Sequence, residues 1–363
     1  MQALASCATA ALMGAAVAAP SPLALTEAQR LAIERSPQNA AYDAAIAASR
    51  DRAAAAAQPP ERTFKLGVAQ PLASREKREA LAEWYAREAD RAAARKIATE
   101  VDIARETALA WLECYYVEQM TRVAADQLKS AQAEVEGAEH MYWAGRLTQA
   151  EFYGTRSMLV MVEDKSSELE HRSRAARIAL KRWVGDAGDA PLATPPNIDR
   201  IRLAPAAVEG DLARHPQVAL LEKEAEIAAS DVRLAQAERQ SPAEIAATVA
   251  KRDEARAARD EKLRAEVAEM RIMIDEWQHA RDRRDRYARQ LVPLARERTV
   301  ATLTAYRGAK ATLIDVLAAR RAETETQMQS VEMERAVARM WARINFALPE
   351  ALPRQAAPVE VTQ

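Results

Sequence analysis

Between Ala73 and Met141 the apolar residues Ile97, Val101, Ala104, Ala108, Trp111 and Tyr115 recur in steps of 4, 3, 4, 3 and 4. That rhythm is a coiled-coil seam, one buried stripe along a helix. The stretch contains no Pro and only Gly137, so a single helix is predicted at about 74–142. At the usual rise per residue it would be about 100 Å long, a length that suits a rod or a tunnel wall rather than a globular core. Leu263, Val267, Met270, Ile274 and Trp277 keep the same rhythm further along.

The second stripe is a copy of the first. Glu100-Val101 with Trp111 returns as Glu266-Val267 with Trp277, an offset of 166. Tyr142-Trp143-Ala144-Gly145 returns as Tyr306-Arg307-Gly308-Ala309, an offset of 164. Arg35-Ser36-Pro37-Gln38 likewise returns as Arg214-His215-Pro216-Gln217. Matched landmarks at nearly one offset mean a duplicated unit. Capping boxes, in which a Ser or Thr hydroxyl and an acidic or amide side chain three residues on satisfy each other's backbone N–H, are expected at Thr26, Thr148, Ser241 and Thr312.

With Gly and Pro as punctuation, the predicted helices are 27–35, 38–57, 74–142 and 149–184 in the first copy and 206–214, 217–239, 242–306 and 313–347 in the second. Pro293 should kink or reset the helix containing it. The expected fold class is all-α: two tandem antiparallel long-helix hairpins, with at most one short strand. The expected organisation is a signal peptide at 1–18, a first repeat at 19–190, a Pro-rich linker at 191–205, a second repeat at 206–349 and a disordered tail at 350–363. The strand candidate is the alternating run Thr63 to Gln70; between Glu238 and Ser241 in the second copy nothing strand-like stands.

Composition agrees with long helices: 9 Gly and 3 Phe in 363 residues, with Ala, Glu and Arg abundant. Charges of both signs are interspersed and the formal net charge is -1, which leaves no footprint for nucleic acid. Cys7 and Cys114 stand in unrelated contexts and form no disulfide framework. Residues 3 to 19 are small and apolar, with the small-x-small triplet Ala16-Val17-Ala18, so an export signal and a mature start at Ala19 are expected. Leu4-Ala5-Ser6-Cys7 also resembles a lipobox, which would put a lipid anchor on Cys7.

These features together resemble the TolC family, the outer-membrane channel components of tripartite efflux pumps. The residues that carry the resemblance are the paired hairpins, the Tyr142-Trp143-Ala144-Gly145 turn, Asp315-Val316-Leu317, and the small helix before Ser36-Pro37 and His215-Pro216. The strings Gln240 to Ala247, Leu294 to Arg298 and Ala305 to Lys310 are most similar to the branch serving heavy-metal pumps. The resemblance implies a cell-envelope location, outer membrane or periplasm, and a homotrimer whose hairpins close into a periplasmic tunnel. It also implies partners, a periplasmic adaptor protein and an inner-membrane pump that supplies the energy, and heavy-metal cations as cargo. Members of the family insert two strands per copy into a shared barrel; one strand candidate cannot close one, because open edges in lipid leave backbone groups unpaired. The alternative reading is therefore a barrel-less periplasmic coiled-coil scaffold or adaptor-like envelope protein.

By the same resemblance the adaptor-facing residues are Ala144, Gly145, Arg146 and Leu147 in the first turn and Gly308, Ala309, Lys310 and Ala311 in the second. Gly145 and Gly308 also suit the positive φ of a helix C-cap. Glu151 and Asp315 correspond across the repeat and are either channel-mouth acids or simply the third residues of capping boxes. Arg156 and Arg320 correspond too, and are either partners in inter-helix ion pairs or solvated face residues. His140, His171, His215 and His279 are isolated, so no metal site is expected. Glu168-x-x-His171 is a single instance of the carboxylate–histidine pair that a two-metal helical enzyme needs twice. Met333, Val337, Met340 and Ile344 step as a packing stripe. No nucleophile elbow, phosphate loop or zinc-protease pair is present, and neither enzyme activity nor a cofactor is expected.

Overall fold

Helix starts in this protein are written by side chains. Thr148, Ser241 and Thr312 each accept from the backbone N–H three residues on, and Glu151, Glu244 and Asp315 reach back to complete the box. Ser74 caps the longest helix in the same way without the reciprocal bond. The expected box at Thr26 does not form: the first helix begins at Leu25 with Ala24 as its cap, and Gln29 Nε2 instead donates to the Ala104 carbonyl at 2.9 Å. Tertiary packing took the amide side chain that the local motif would have used.

The computed structural model describes residues 21–58, 74–204 and 207–349. The expected signal peptide at 1–18, Cys7, the strand candidate at 63–70 and the tail at 350–363 lie outside them. The helices are α1 (Leu25–Glu34), α2 (Pro37–Ala57), α3 (Arg75–Trp143), α4 (Gln149–Val184), α5 (Val208–Leu212), α6 (Pro216–Ala237), α7 (Pro242–Arg286), α8 (Val292–Arg307) and α9 (Leu313–Asn345). Among the described residues there is no strand beyond one isolated bridge, Leu23 to Leu192, and no helix is long and apolar enough to cross a membrane. The fold is all-α, as the patterning predicted.

Pro293 resets its helix. Tyr287–Leu291 forms a π turn in which the Val292 N–H reaches back to the Tyr287 carbonyl, and Pro293 then occupies the first turn of α8, where its missing N–H costs least.

In one half of the molecule the helices lie in the order α2, α3, α6, α7; in the other half the order is α4, α3, α9 and then α7 continued by α8. The result is a curved row of helices with two flanks, α2 and α4 on one side and α7 and α8 on the other. This order corrects the expectation of equivalent stripes. The α7 stripe Val267, Met270, Ile274 and Trp277 is buried as expected, because a flank helix packs on one side. The α3 helix, packed on both sides, buries Ile103, Thr107, Leu112, Cys114, Tyr116 and Val117 in addition to Val101, Ala108 and Trp111, while Ile97 is exposed.

Both copies share one core at the middle of the rod, where Trp111, Trp277 and Trp341 meet Leu180, Val184 and Leu212. The chain between the copies is part of it. Ile198 and Leu203 are buried there, Trp341 Nε1 donates to the Arg200 carbonyl at 2.8 Å, and the Arg202 N–H donates to Asn345 Oδ1 at 2.8 Å. Leu23 N–H donates to the Pro191 carbonyl at 2.8 Å, and the Leu23 carbonyl accepts from both Ala193 N–H (3.1 Å) and Trp111 Nε1 (3.0 Å). Residues 191–204 are thus a strap that holds Leu23, just ahead of α1, against the middle of α3.

Candidate docking site at the hairpin turns

The two long hairpins turn at the same end of the rod. Tyr306 on α8 donates its hydroxyl to Met141 Sδ on α3 at 3.4 Å, which places the turns beside each other. Arg320 on α9 forms an ion pair with Glu134 on α3 behind them, as expected of an inter-helix arginine. Arg156, its counterpart, instead lies over the Phe152 ring at 5.8 Å.

Each turn satisfies its own backbone. At the first, Gly145 N–H donates to the Tyr142 carbonyl (2.9 Å) and Arg146 N–H to the Met141 carbonyl (2.8 Å); at the second, Ala309 N–H donates to Tyr306 (2.9 Å) and Lys310 N–H to Ala305 (2.8 Å). This paired closure of a helix C-terminus requires one residue in the left-handed region. In the first turn that residue is Gly145, φ +69. In the second it is Ala309, φ +55, and not Gly308, whose φ is -87. The expectation for Gly308 is corrected: the glycine stands one position early, and an alanine carries the strain.

Ala309→Gly is therefore expected to stabilise the protein by about 0.5–1 kcal/mol, the relief of a left-handed Cβ less the added chain entropy of Gly. A Cβ at Gly145 would meet no atom within 4 Å, so Gly145→Ala should cost only its backbone strain, about 1 kcal/mol. Chemical denaturation midpoints of the two variants must move in opposite directions.

Ala144, Gly145, Arg146, Gly308, Ala309 and Lys310 are exposed, whereas Leu147 and Ala311 are half-buried under the turns. The exposed set offers small side chains and one cation per turn, Arg146 and Lys310 at equivalent positions. Glu151 and Asp315 are engaged in their caps: the hydroxyl and N–H of Thr148 hold the Glu151 carboxyl below its ordinary range, and the N–H and hydroxyl of Thr312 do the same for Asp315. Two features escaped sequence reasoning. Trp143, 77% exposed, and exposed Tyr153 flank the first turn, beside the stacked pair Tyr142 and Phe152 with centroids 5.1 Å apart. The second turn has Arg307 and Leu317 at those places, a difference already visible in the repeat alignment.

A cleft of about 660 Å³ between α3, α7 and α9 is lined by His215, Lys262, Glu266 and Arg105, among others. His215 is buried, its Nδ1 has no partner, and its Nε2 stands 3.7 Å from Glu266, which is itself bonded to Lys262 at 2.7 Å. Burial lowers the His215 pKa, opposed by Glu266 and assisted by Lys262 and Arg105. A base whose folded pKa lies below its unfolded one stabilises the fold above the unfolded value and loses that contribution as pH falls. Thermal stability should therefore drop between about pH 7.5 and 5.5, and less steeply in His215→Asn. Equal slopes for the two proteins would remove His215 as the cause.

No family model matches the chain, and no curated protein is similar to it. Solved structures are. The outer membrane protein VceC of Vibrio cholerae shares 17% identity, covering 89% of this chain and 95% of that one, with a TM-score of 0.72. A membrane protein of Pseudomonas aeruginosa shares 14% over 89% of this chain and 91% of that one, TM-score 0.76. CusC, whose structures describe conformational changes accompanying folding and transmembrane channel formation, shares 12% over 89% and 91%, TM-score 0.75. The chain has the fold of these membrane proteins.

Proposed function

We propose that this protein is an outer-membrane-factor-like efflux component of the cell envelope, a passive conduit built as a homotrimer and docked through its hairpin turns to a periplasmic adaptor of a resistance-type pump. The observation that carries the reading is the pair of open flanks. On α4, Tyr153, Val160, Met161 and Ile178 are exposed; on the opposite flank Ile272, Leu291, Leu294 and Val300 are exposed. Two complementary flanks on opposite sides make a head-to-tail interface, which closes into a ring where the rotation between copies is a whole fraction of a turn, here a third.

The duplication supplies the register. Inside the protomer α3 lies along α9, with Glu113 paired to Arg335 and Glu134 to Arg320. Ring closure repeats this contact with α7 and α8, the copies of α3, along α4 of the next protomer, the counterpart of α9. Carrying the internal pairs across at the offsets of 166 and 164 sets Ile272 near Ile178, Leu294 near Val160 and Val300 near Tyr153 of the partner subunit. Arg156 then meets Arg298, with Glu297 one residue away to take its charge.

Arg146 and Lys310 give the docking surface a cation at every turn, which suits an acidic or amide-rich helical tip on the adaptor. Photo-crosslinkers at Ala144 and Gly308 should capture the adaptor, whereas equal capture from mid-rod positions would count against the turns. Heavy-metal cations are the cargo favoured by the α7 and α8 strings; a deletion strain should lose zinc or copper tolerance before dye tolerance.

One observation favours the second reading, a barrel-less scaffold. Between α6 and α7 the chain needs only Glu238 to Ser241: Arg239 takes φ 55, its N–H and that of Gln240 close the end of α6, and Ser241 caps α7. The second copy therefore contributes no strands to a barrel. Carbonate-washed outer membranes decide between the two: retention with single-channel conductance supports the conduit, and release as a soluble ring supports the scaffold.

A further inference from the structure

The same register decides what meets between the Ile272 and Leu294 contacts, and this inference rests on that ring closure. Within the protomer Glu113 of α3 is an ion-pair hub for α9, accepting from Arg335 and, at 3.2 Å, from Arg339. The repeat carries Glu113 to His279, two residues beyond Trp277, as Glu113 follows Trp111. It carries Arg335 to His171. Where the internal junction has a carboxylate and a guanidinium, the junction between copies brings two imidazoles together.

The faces agree with this. His279 is exposed and lies seven residues beyond exposed Ile272; His171 is exposed and lies seven residues before exposed Ile178. Each histidine therefore shares the flank face with its isoleucine. Carboxylates gather on the same side: Asp275, Glu276 and Asp282 stand four before, three before and three after His279, and Glu168 stands three before His171. Asp275, Glu276, Asp282 and both histidines are unengaged among the described residues, while Glu168 is bonded to Lys165 at 2.7 Å. The arginines near His171 are directed elsewhere, Arg172 to Glu113 and Arg174 to Glu170, while on α7 Arg283 and Arg286 are exposed one and two turns beyond His279, on the side away from Asp275.

We infer that His279 and His171 of the partner subunit, with Asp275, Asp282 and Glu168 in reach, form a site for a divalent cation of the zinc, nickel or copper type at each junction of the ring. Neutral imidazoles with carboxylates are the donor set these ions prefer, whereas calcium and magnesium ask for oxygen alone. Within one chain no group of three or more such side chains comes together among the described residues, so the site is incomplete without the second copy. The ion does at the outer junction what the Glu113 hub does at the inner one: it ties neighbouring hairpins together. It also gives the lone Glu168-x-x-His171 pair a role that a single chain does not provide.

The test uses the full-length chain, freed of metal by a chelator and titrated calorimetrically with zinc and then nickel. One ion per protomer is expected, with affinity falling as the imidazoles are protonated and dropping ~100-fold or more in either His279→Ala or His171→Ala. His140→Ala should bind as the parent does. The register is checked separately with Ile272→Cys and Ile178→Cys combined, which on oxidation should give a ladder up to trimer that neither single variant gives. A cross-linking trimer that binds no ion, or either histidine variant binding like the parent, overturns the metal site and leaves the ring standing. Absence of the ladder overturns the ring and the site with it.

Discussion

Leu294→Glu should leave the protomer folded and abolish the ring. Leu294 is 60% exposed in the protomer, so the substitution is expected to change its stability by no more than about 0.5 kcal/mol. In the closed ring the same carboxylate displaces the apolar contact with Val160 of the partner subunit and is desolvated, a cost that Arg298 one turn on only partly offsets, at about 1–3 kcal/mol for each junction. Sedimentation should show a monomer with unchanged helicity. Val160→Glu should behave identically, since the contact has two sides. The discriminating protein is the double variant Leu294→Arg with Val160→Glu, in which the new charges face each other only if the register is right. Recovery of the trimer supports the pairing; a trimer unaffected by both single substitutions would end the flank-closure proposal.

Trp111→Ala carries the largest expected loss of protomer stability, about 3–5 kcal/mol. The side chain is fully buried, stacks on Tyr115 with ring centroids 5.6 Å apart, and donates to the Leu23 carbonyl at 3.0 Å. Its loss opens a cavity in the shared core and unties the strap formed by Leu23, Pro191 and Ala193. Urea midpoints should fall accordingly, and amide exchange in α1 should rise more than in α8. Trp277, its copy, makes the comparison informative. Its Nε1 is buried without a partner and Arg281 lies over its ring at 4.7 Å. Trp277→Phe removes an unsatisfied donor and should be near neutral, whereas Trp111→Phe removes a made bond and should cost about 1 kcal/mol. Equal losses for the two phenylalanine variants would refute the hydrogen-bond account.

Much of the candidate site was legible in the chain. The turns at Gly145 and Ala309 follow from a repeated tetrapeptide and from capping boxes whose acids are three residues away. Both signals are local, and local hydrogen bonding decides them. The identity of the strained residue was not legible: Gly308 looks like the cap, yet α8 runs to Arg307 and the left-handed position falls on Ala309. A shift of one residue at a helix end is set by the register of the whole hairpin, which the turn tetrapeptide does not encode. The exposed rows on α4 and α8 were visible as apolar residues, but nothing in a periodicity says which apolar face lacks a neighbour.

The sequence by itself determined the duplication, the number and approximate bounds of the long helices, and the positions of their turns. These depend on periodicity, capping and glycine or proline, all acting within a few residues. Only the tertiary structure decided that α3 is packed on both sides while α7 forms a flank, although their stripes are copies. It alone decided that the Pro-rich residues 191–204 are a strap anchored in the core by Ile198 and Leu203, and that Gln29 leaves its capping box to bond Ala104. Burial and the choice among competing hydrogen-bond partners depend on which elements lie alongside, and two copies of one pattern acquire different surroundings as soon as one of them is placed in the middle of the row.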